Sequence, residues 1–167
     1  MQCARSAISS GVCAFTLAFL AACSRAEPVT QPIAFNHKAH IKADIDCSTC
    51  HEKAADGPAA TLPPLRVCVK CHKEVQGKDP KLEEAIMDAV AKKQEIAWVQ
   101  VNQVAGHVYF SHRAHVAFAE MECDVCHGDM KSQEQPVSVP NVATSMASCI
   151  ECHQKKGAST DCLTCHQ

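Results

Sequence analysis

The sequence is poor in the residues that usually build a protein core. Aromatic residues make up 4% of the 167 residues, with one Trp and one Tyr among them. Large rings normally supply much of the buried apolar area of a domain, so side chains alone fill a core poorly here. The net charge of −2, counted with neutral His, excludes a strongly basic nucleic-acid-binding protein.

Long hydrophobic runs are also scarce. The clearest is residues 11–22, which is too short to span a bilayer comfortably and follows Arg5, the only charged side chain before it. The run ends in the sequence LAAC at 20–23, which resembles the bacterial lipoprotein box. We therefore predict that residues 1–22 are a lipoprotein signal peptide and that Cys23 is lipidated. The alternative is an ordinary signal peptide or uncleaved anchor in which Cys23 is incidental.

Cysteine, by contrast, is abundant, with 13 residues, and ten of them lie in five copies of C-x-x-C-H. This is the attachment motif of c-type haem. Two thiols on one helical turn can reach both vinyl groups of one porphyrin, and the adjoining His then lies under the iron as the proximal ligand. The predicted attachment residues are Cys47, Cys50, Cys68, Cys71, Cys123, Cys126, Cys149, Cys152, Cys162 and Cys165, and the predicted proximal ligands are His51, His72, His127, His153 and His166.

Other uses of C-x-x-C fit the pattern less well. A zinc ribbon needs C-x-x-C pairs in twos, and five is an odd number. A thioredoxin-like pair would be a single motif in a βαβ setting. We therefore predict five covalently bound haem c groups as the main packing units. The expected fold is mostly irregular, with small α-helices and little or no β-sheet.

The histidines outside these motifs also number five: His37, His40, His107, His112 and His115. Four of them form two copies of F-x-H-x-x-H, which favours a role as distal haem ligands over solvated side chains. Six-coordinate haem passes electrons but has no position for a substrate. This predicts an electron carrier without catalytic residues or a small-molecule substrate.

The two F-x-H-x-x-H copies predict two related modules. Residues 33–72 form a two-haem module and residues 107–167 a three-haem module. Residues 23–32 are predicted to be an extended tether, and residues 73–106 a helical connector. Asp79 and Pro80 predict a helix start, and apolar spacing predicts a helix over about 80–95 with its charged face in water. Trp98, just beyond it, is predicted to be a packing anchor.

F-x-H-x-x-H a few residues before C-x-x-C-H resembles the class III cytochromes, the c3 and c7 group, and residues 110–166 are similar to a whole c7 domain. In that family the first His of the pair ligates the nearest haem and the second ligates the next. The resemblance therefore implies four pairs, each of one distal and one proximal ligand: His37 with His51, His40 with His72, His112 with His127, and His115 with His153.

A narrower resemblance concerns residues 98–116, which look like the pentahaem cytochrome subunit of alternative complex III. That membrane complex oxidises quinol and passes electrons to periplasmic acceptors. Met146 also matches a Met found there. This chain departs from that subunit in two ways: it has a predicted lipid anchor where a transmembrane helix is usual, and Asn102 where another His is expected.

The distal ligand of the fifth haem, on His166, has two candidates. Counting favours His107, the remaining unassigned His. Position favours Met146, because c7 proteins place the ligand of their last haem just before the preceding C-x-x-C-H. We favour Met146, because His/Met ligation is an established c-type pairing.

These features together predict a pentahaem cytochrome that relays electrons at the periplasmic membrane surface. Its expected partners are redox proteins, in particular a quinol-linked oxidoreductase or membrane complex, with a lipid anchor to the membrane and no nucleic acid. Whether the anchor lies in the inner or outer membrane is left open. One alternative is a multihaem reductase of a small oxyanion with one open haem. Another is a stand-alone carrier for extracellular electron export.

Overall fold

The computed structural model describes residues 27–74 and 80–166, apart from the side chain of Leu82. The predicted signal peptide and Cys23 lie outside this range, as does Asp79. The described helices are short. They are α1 (His37–Ile41), α2 (Cys47–Cys50), α3 (Leu65–Cys68), α4 (Lys81–Lys92), a π-helical turn (Ala114–Phe118), α5 (Asp124–His127), α6 (Met146–Lys156) and α7 (Cys162–Cys165).

Irregular backbone connects these helices. Within the described residues, β pairing is confined to one isolated antiparallel bridge between Val108 and His166. The prediction of a mostly irregular, small-α fold with little β-sheet is confirmed. None of the helices in this part of the chain has the length and apolar character needed to cross a membrane.

The protein core is small. In the described part of the chain the buried apolar side chains are Ile33, Val67, Ile86 and Ala89. Val67 belongs to α3, and Ile86 and Ala89 to α4, the two helices that pack together. Such a core removes little apolar area from water, so most of the driving force for a stable fold has to come from elsewhere.

Helix α4 is the predicted connector helix, and it is shorter than expected at its C-terminus. Pro80 directly precedes it, in the position where a missing N–H costs nothing. The helix ends at Lys92 because Lys93 adopts a left-handed conformation with φ of 55°. Beyond it, the indole Nε1 of Trp98 donates to the Pro63 carbonyl oxygen at 3.1 Å, so Trp98 fastens the connector to the first module.

Helix α6 is the longest helix of the second module and has defined ends. Ser145 caps it: its side chain accepts from the backbone N–H of Ser148, and the Ser148 hydroxyl accepts from the N–H of Ser145. This reciprocal arrangement satisfies two N–H groups that a helix start otherwise leaves unpaired. Gly157 ends the helix with φ of 68°.

The two modules share many contacts. The backbone N–H of Lys38 donates to the Gln133 carbonyl oxygen at 3.0 Å, and the Lys38 ammonium pairs with Glu134 at 2.6 Å. In the predicted tether, the side-chain amide of Gln31 donates to the carbonyl oxygen of Val99 in the connector and to that of Val137 in the second module. The two repeated units therefore pack against each other and are joined by hydrogen bonds and an ion pair.

Candidate haem sites

Each C-x-x-C-H motif folds into one helical turn. In four of them the N–H of the motif His donates to the carbonyl oxygen of the first Cys, four residues earlier, and the fifth lies within α6. These bonds measure 2.8 Å at His51 and 2.9 Å at His72, His127 and His166. The turn brings both thiols and the imidazole to one side of the backbone, as covalent attachment of a porphyrin above the His requires.

Each motif His has a second His beside it. The ring centroids are 6.1 Å apart for His40 and His72, 6.1 Å for His115 and His153, 6.3 Å for His112 and His127, and 5.3 Å for His107 and His166. Metal–imidazole bonds of about 2.0–2.1 Å place the ring centroids of two opposed ligands about 6 Å apart. Three pairs match that span, and the fourth is shorter.

The remaining pair is His37 and His51. Burial, followed by the neighbouring rings of His51 and His40, lowers the pKa of His37 to about 4. The pKa of His127 is likewise lowered by burial, then by His112 and His51. Both imidazoles are therefore neutral at physiological pH, which is the form that binds a metal.

The ring nitrogens Nδ1 are mostly engaged by backbone. Six of the ten histidines direct Nδ1 at a carbonyl oxygen, over distances of 2.6–3.4 Å. A hydrogen bond at Nδ1 fixes the tautomer and leaves Nε2 as the ligand atom. The six are His40, His51, His112, His115, His153 and His166. With the paired thiols, this donor set fits five c-type haems.

The Phe ring of each F-x-H-x-x-H motif packs against both histidines of that motif. The sequence alone did not reveal this role. Phe35 stacks on His40 with centroids 4.5 Å apart and meets His37 edge-on at 4.7 Å. Phe110 stacks on His115 at 4.7 Å and meets His112 edge-on at 4.9 Å. The two copies therefore share a three-ring arrangement. Its sequence signal was the recurrence of Phe two residues before the first His.

The two candidates for the fifth haem lie in different surroundings. His107 stacks on His166 with an interplanar angle of 19°, and its carbonyl oxygen faces Nδ1 of His166 at 3.4 Å. The N–H of Tyr109 donates to the Cys165 carbonyl oxygen at 2.7 Å, which holds this segment against the last motif. Met146 begins α6 and exposes 66% of its surface.

The attachment motifs also lie beside one another. Partial burial raises the pKa of Cys50, and Cys68 raises it further, so the first and second motifs are neighbours. Burial and then Cys47 raise the pKa of Cys123. Burial followed by Cys152 and Cys149 raises that of Cys126. Motifs one and three thus meet across the modules, and motifs three and four meet within the second.

One motif His has a side-chain neighbour at Nδ1 instead of a carbonyl. Nδ1 of His72 lies 3.6 Å from a carboxylate oxygen of Glu83, on α4. The exposed fractions of the two side chains are 23% and 12%. The connector helix, predicted to present its charged face to water, thus turns one carboxylate inward toward a motif His.

Sequence comparisons agree with this arrangement. Residues 18–100 match the class III cytochrome c family, and residues 108–167 match the family of cytochrome c7 and related cytochromes c. A relative in Nitratidesulfovibrio vulgaris, the multihaem cytochrome c subunit of a menaquinone reductase, is 32% identical over 161 residues, covering 82% of this chain and 77% of the relative. The chain therefore belongs to the class III multihaem cytochromes c.

Proposed function

We propose that this chain is a pentahaem electron relay that works at the periplasmic membrane surface with a quinone-linked oxidoreductase. The observation that carries the proposal is the pairing of four of the five motif histidines with a second His ring, while the fifth, His51, interacts electrostatically with His37. When bound, the haems supply the redox centres between which electrons tunnel. The paired histidines would hold the haems and supply two imidazole ligands to each iron, so no coordination site would be left for a substrate.

The proposed distal ligands are His37, His40, His112, His115 and His107. The ring of His107 already lies against His166, whereas Met146 starts a helix with most of its surface exposed. We therefore assign the fifth haem to His107 and His166. This proposal replaces Met146, the ligand that the sequence favoured.

The contacts between motifs suggest the path of electrons. Motif two adjoins motif one through Cys68 and Cys50, and motif one adjoins motif three through Cys47 and Cys123. Motif three adjoins motif four, and Ser159 connects motifs four and five: its carbonyl oxygen accepts from Nδ1 of His153 and its hydroxyl contacts that of Thr164 at 3.0 Å. The proposed order is two, one, three, four, five.

The proposed partner rests on the relatives. The relative in Nitratidesulfovibrio vulgaris is named as a subunit of a menaquinone reductase. The resemblance of residues 98–116 to the pentahaem subunit of alternative complex III also indicates a complex that exchanges electrons with quinone. Because tunnelling is reversible, one relay serves either direction, and the partners' potentials set the direction.

Two measurements test the proposed function. The dithionite-reduced holoprotein should form no CO adduct, and it should exchange electrons with a menaquinone analogue once its co-purifying membrane complex is present. A CO adduct together with nitrite reduction by the isolated protein would instead establish a reductase with an open haem. A five-haem protein that recovers no quinone-reactive complex from solubilised membranes would be a stand-alone carrier.

A further inference from the structure

The contact between His72 and Glu83 differs from the surroundings of the other motif histidines. Nδ1 of His72 is buried and makes no hydrogen bond, and the Glu83 carboxylate oxygen lies 3.6 Å away. That separation slightly exceeds a hydrogen bond. His51, His153 and His166 direct Nδ1 at neutral backbone carbonyl oxygens instead.

The position of Glu83 is not explained by the helix alone. Glu83 and Glu84 both lie in the first turn of α4, where either carboxylate favours the helix dipole. Glu84 is exposed, whereas the Glu83 side chain keeps only 12% of its surface in contact with solvent. Withdrawing a carboxylate from water is costly unless a partner compensates, and the imidazole N–H of His72 is such a partner.

We propose that Glu83 is a positioning residue for the second haem: its carboxylate accepts the Nδ1–H of His72 and lowers the reduction potential of that haem relative to its neighbours. The inference rests on the proposed function, because Glu83 acts through the haem that His72 binds. A carboxylate at Nδ1 makes the imidazole a stronger donor, which stabilises ferric iron over ferrous iron. The negative charge, held in a partly desolvated site, acts in the same direction.

This contact gives the connector helix a function in the redox chain. In the proposed order the second motif lies at one end of the relay. A lowered potential there makes its haem the strongest reductant of the series, so electrons that enter at this end move toward the other haems. Helix α4 packs on α3, which carries Cys68, and thereby holds the carboxylate near His72.

The test is a redox titration of the intact holoprotein, with Glu83→Gln compared with wild type. Gln keeps the shape and the acceptor oxygen but removes the charge. We expect one of the five midpoint potentials to rise and the electron paramagnetic resonance signal of one ferric low-spin haem to shift, while the others stay in place. Glu84→Gln is the matched control, since it removes the same charge from the same helical turn and should move neither.

Five unchanged potentials in Glu83→Gln would overturn the inference and leave the proposed function intact. Equal shifts in the two variants would also overturn it, because they would indicate a general effect of charge. If Glu83→Gln does not assemble, Glu83→Asp serves instead: the shortened side chain keeps its charge but retreats from Nδ1, and a smaller rise of the same potential is expected. A wild-type protein with fewer than five haems would count against the proposed function itself.

Discussion

The Pro58 carbonyl oxygen accepts two hydrogen bonds from His112, one from its backbone N–H and one from Nδ1, each 3.1 Å long. Pro58 belongs to the first module, and His112 belongs to the second. A loop of one sequence repeat thus orients a proposed haem ligand of the other. The next residue, Arg113, donates its N–H to the Gly57 carbonyl oxygen at 3.0 Å. We call these contacts of residues 57 and 58 with residues 112 and 113 the clasp.

This clasp predicts a specific effect of Gly57→Ala. A Cβ at position 57 would lie 3.1 Å from both Cβ and the carbonyl oxygen of Lys53. Relieving such overpacking shifts the loop, with an expected loss of about 1–3 kcal/mol of stability. We expect a lower thermal midpoint and a changed low-spin signal from one haem, that of His112 and His127.

Gly106→Ala is the matched control for Gly57→Ala. A Cβ at position 106 meets no atom within 4 Å, so its spectrum and thermal midpoint should match wild type. If both variants behave like wild type, the loop does not orient His112. A loss confined to stability, with unchanged haem signals, would also contradict the clasp as a ligand-positioning contact.

The capping box of α6 gives a second prediction. Helix α6 carries Cys149, Cys152 and His153 of the fourth motif, so its first turn supports that site. Ser145→Ala removes the side chain that accepts from Ser148 and should cost about 1 kcal/mol. Ser145→Asp retains a capping oxygen and should keep most of the stability. Equal denaturation midpoints for Ser145→Ala and wild type would show that haem attachment alone fixes the helix.

The assignment of His107 gives a third prediction, read by near-infrared magnetic circular dichroism. Ferric wild type should show bis-His haem only. His107→Ala should convert one haem in five to a high-spin form that binds CO when reduced, because the iron loses its sixth ligand. Met146→Leu should leave the spectrum unchanged. A thioether-to-iron band in wild type that disappears in Met146→Leu would assign the ligand to Met146 instead.

The lipid anchor gives a fourth prediction. If Cys23 is acylated, Cys23→Ala should move the protein from the membrane to the soluble periplasmic fraction or block its processing. Cys13→Ala, inside the predicted signal peptide, should leave the mature protein on the membrane. Fractionation with haem staining checks both variants. Wild type found entirely in the soluble fraction would contradict the anchor.

The sequence predicted the local features well, because they depend on short spacings. C-x-x-C-H sets a helical turn and F-x-H-x-x-H sets two imidazoles, whatever the rest of the chain does. The small-α, sheet-poor character follows from the scarcity of large apolar side chains. Helix α4 was also predicted, but its C-terminus was placed about three residues beyond the observed end at Lys92. The stop was missed because the left-handed residue that ends the helix is Lys93 and not a Gly.

Contacts between distant segments were not predictable in the same way. The sequence predicted only a loop at residues 57 and 58. Nothing in the identity of these residues specifies that their carbonyl oxygens accept hydrogen bonds from His112 and Arg113. Glu83 looks like any other acidic residue in a first helical turn until the packing of α4 on α3 places it beside His72. The rivalry between His107 and Met146 likewise depended on which segment folds back against the last motif.

The central claim is that every C-x-x-C-H motif carries a covalent haem. Intact-mass spectrometry of the exported holoprotein, under conditions that release non-covalent groups, tests it most directly. We expect a mass equal to that of the mature chain plus five haems, and a loss of one haem in Cys162→Ala/Cys165→Ala. A wild-type mass that corresponds to four haems or fewer would contradict it.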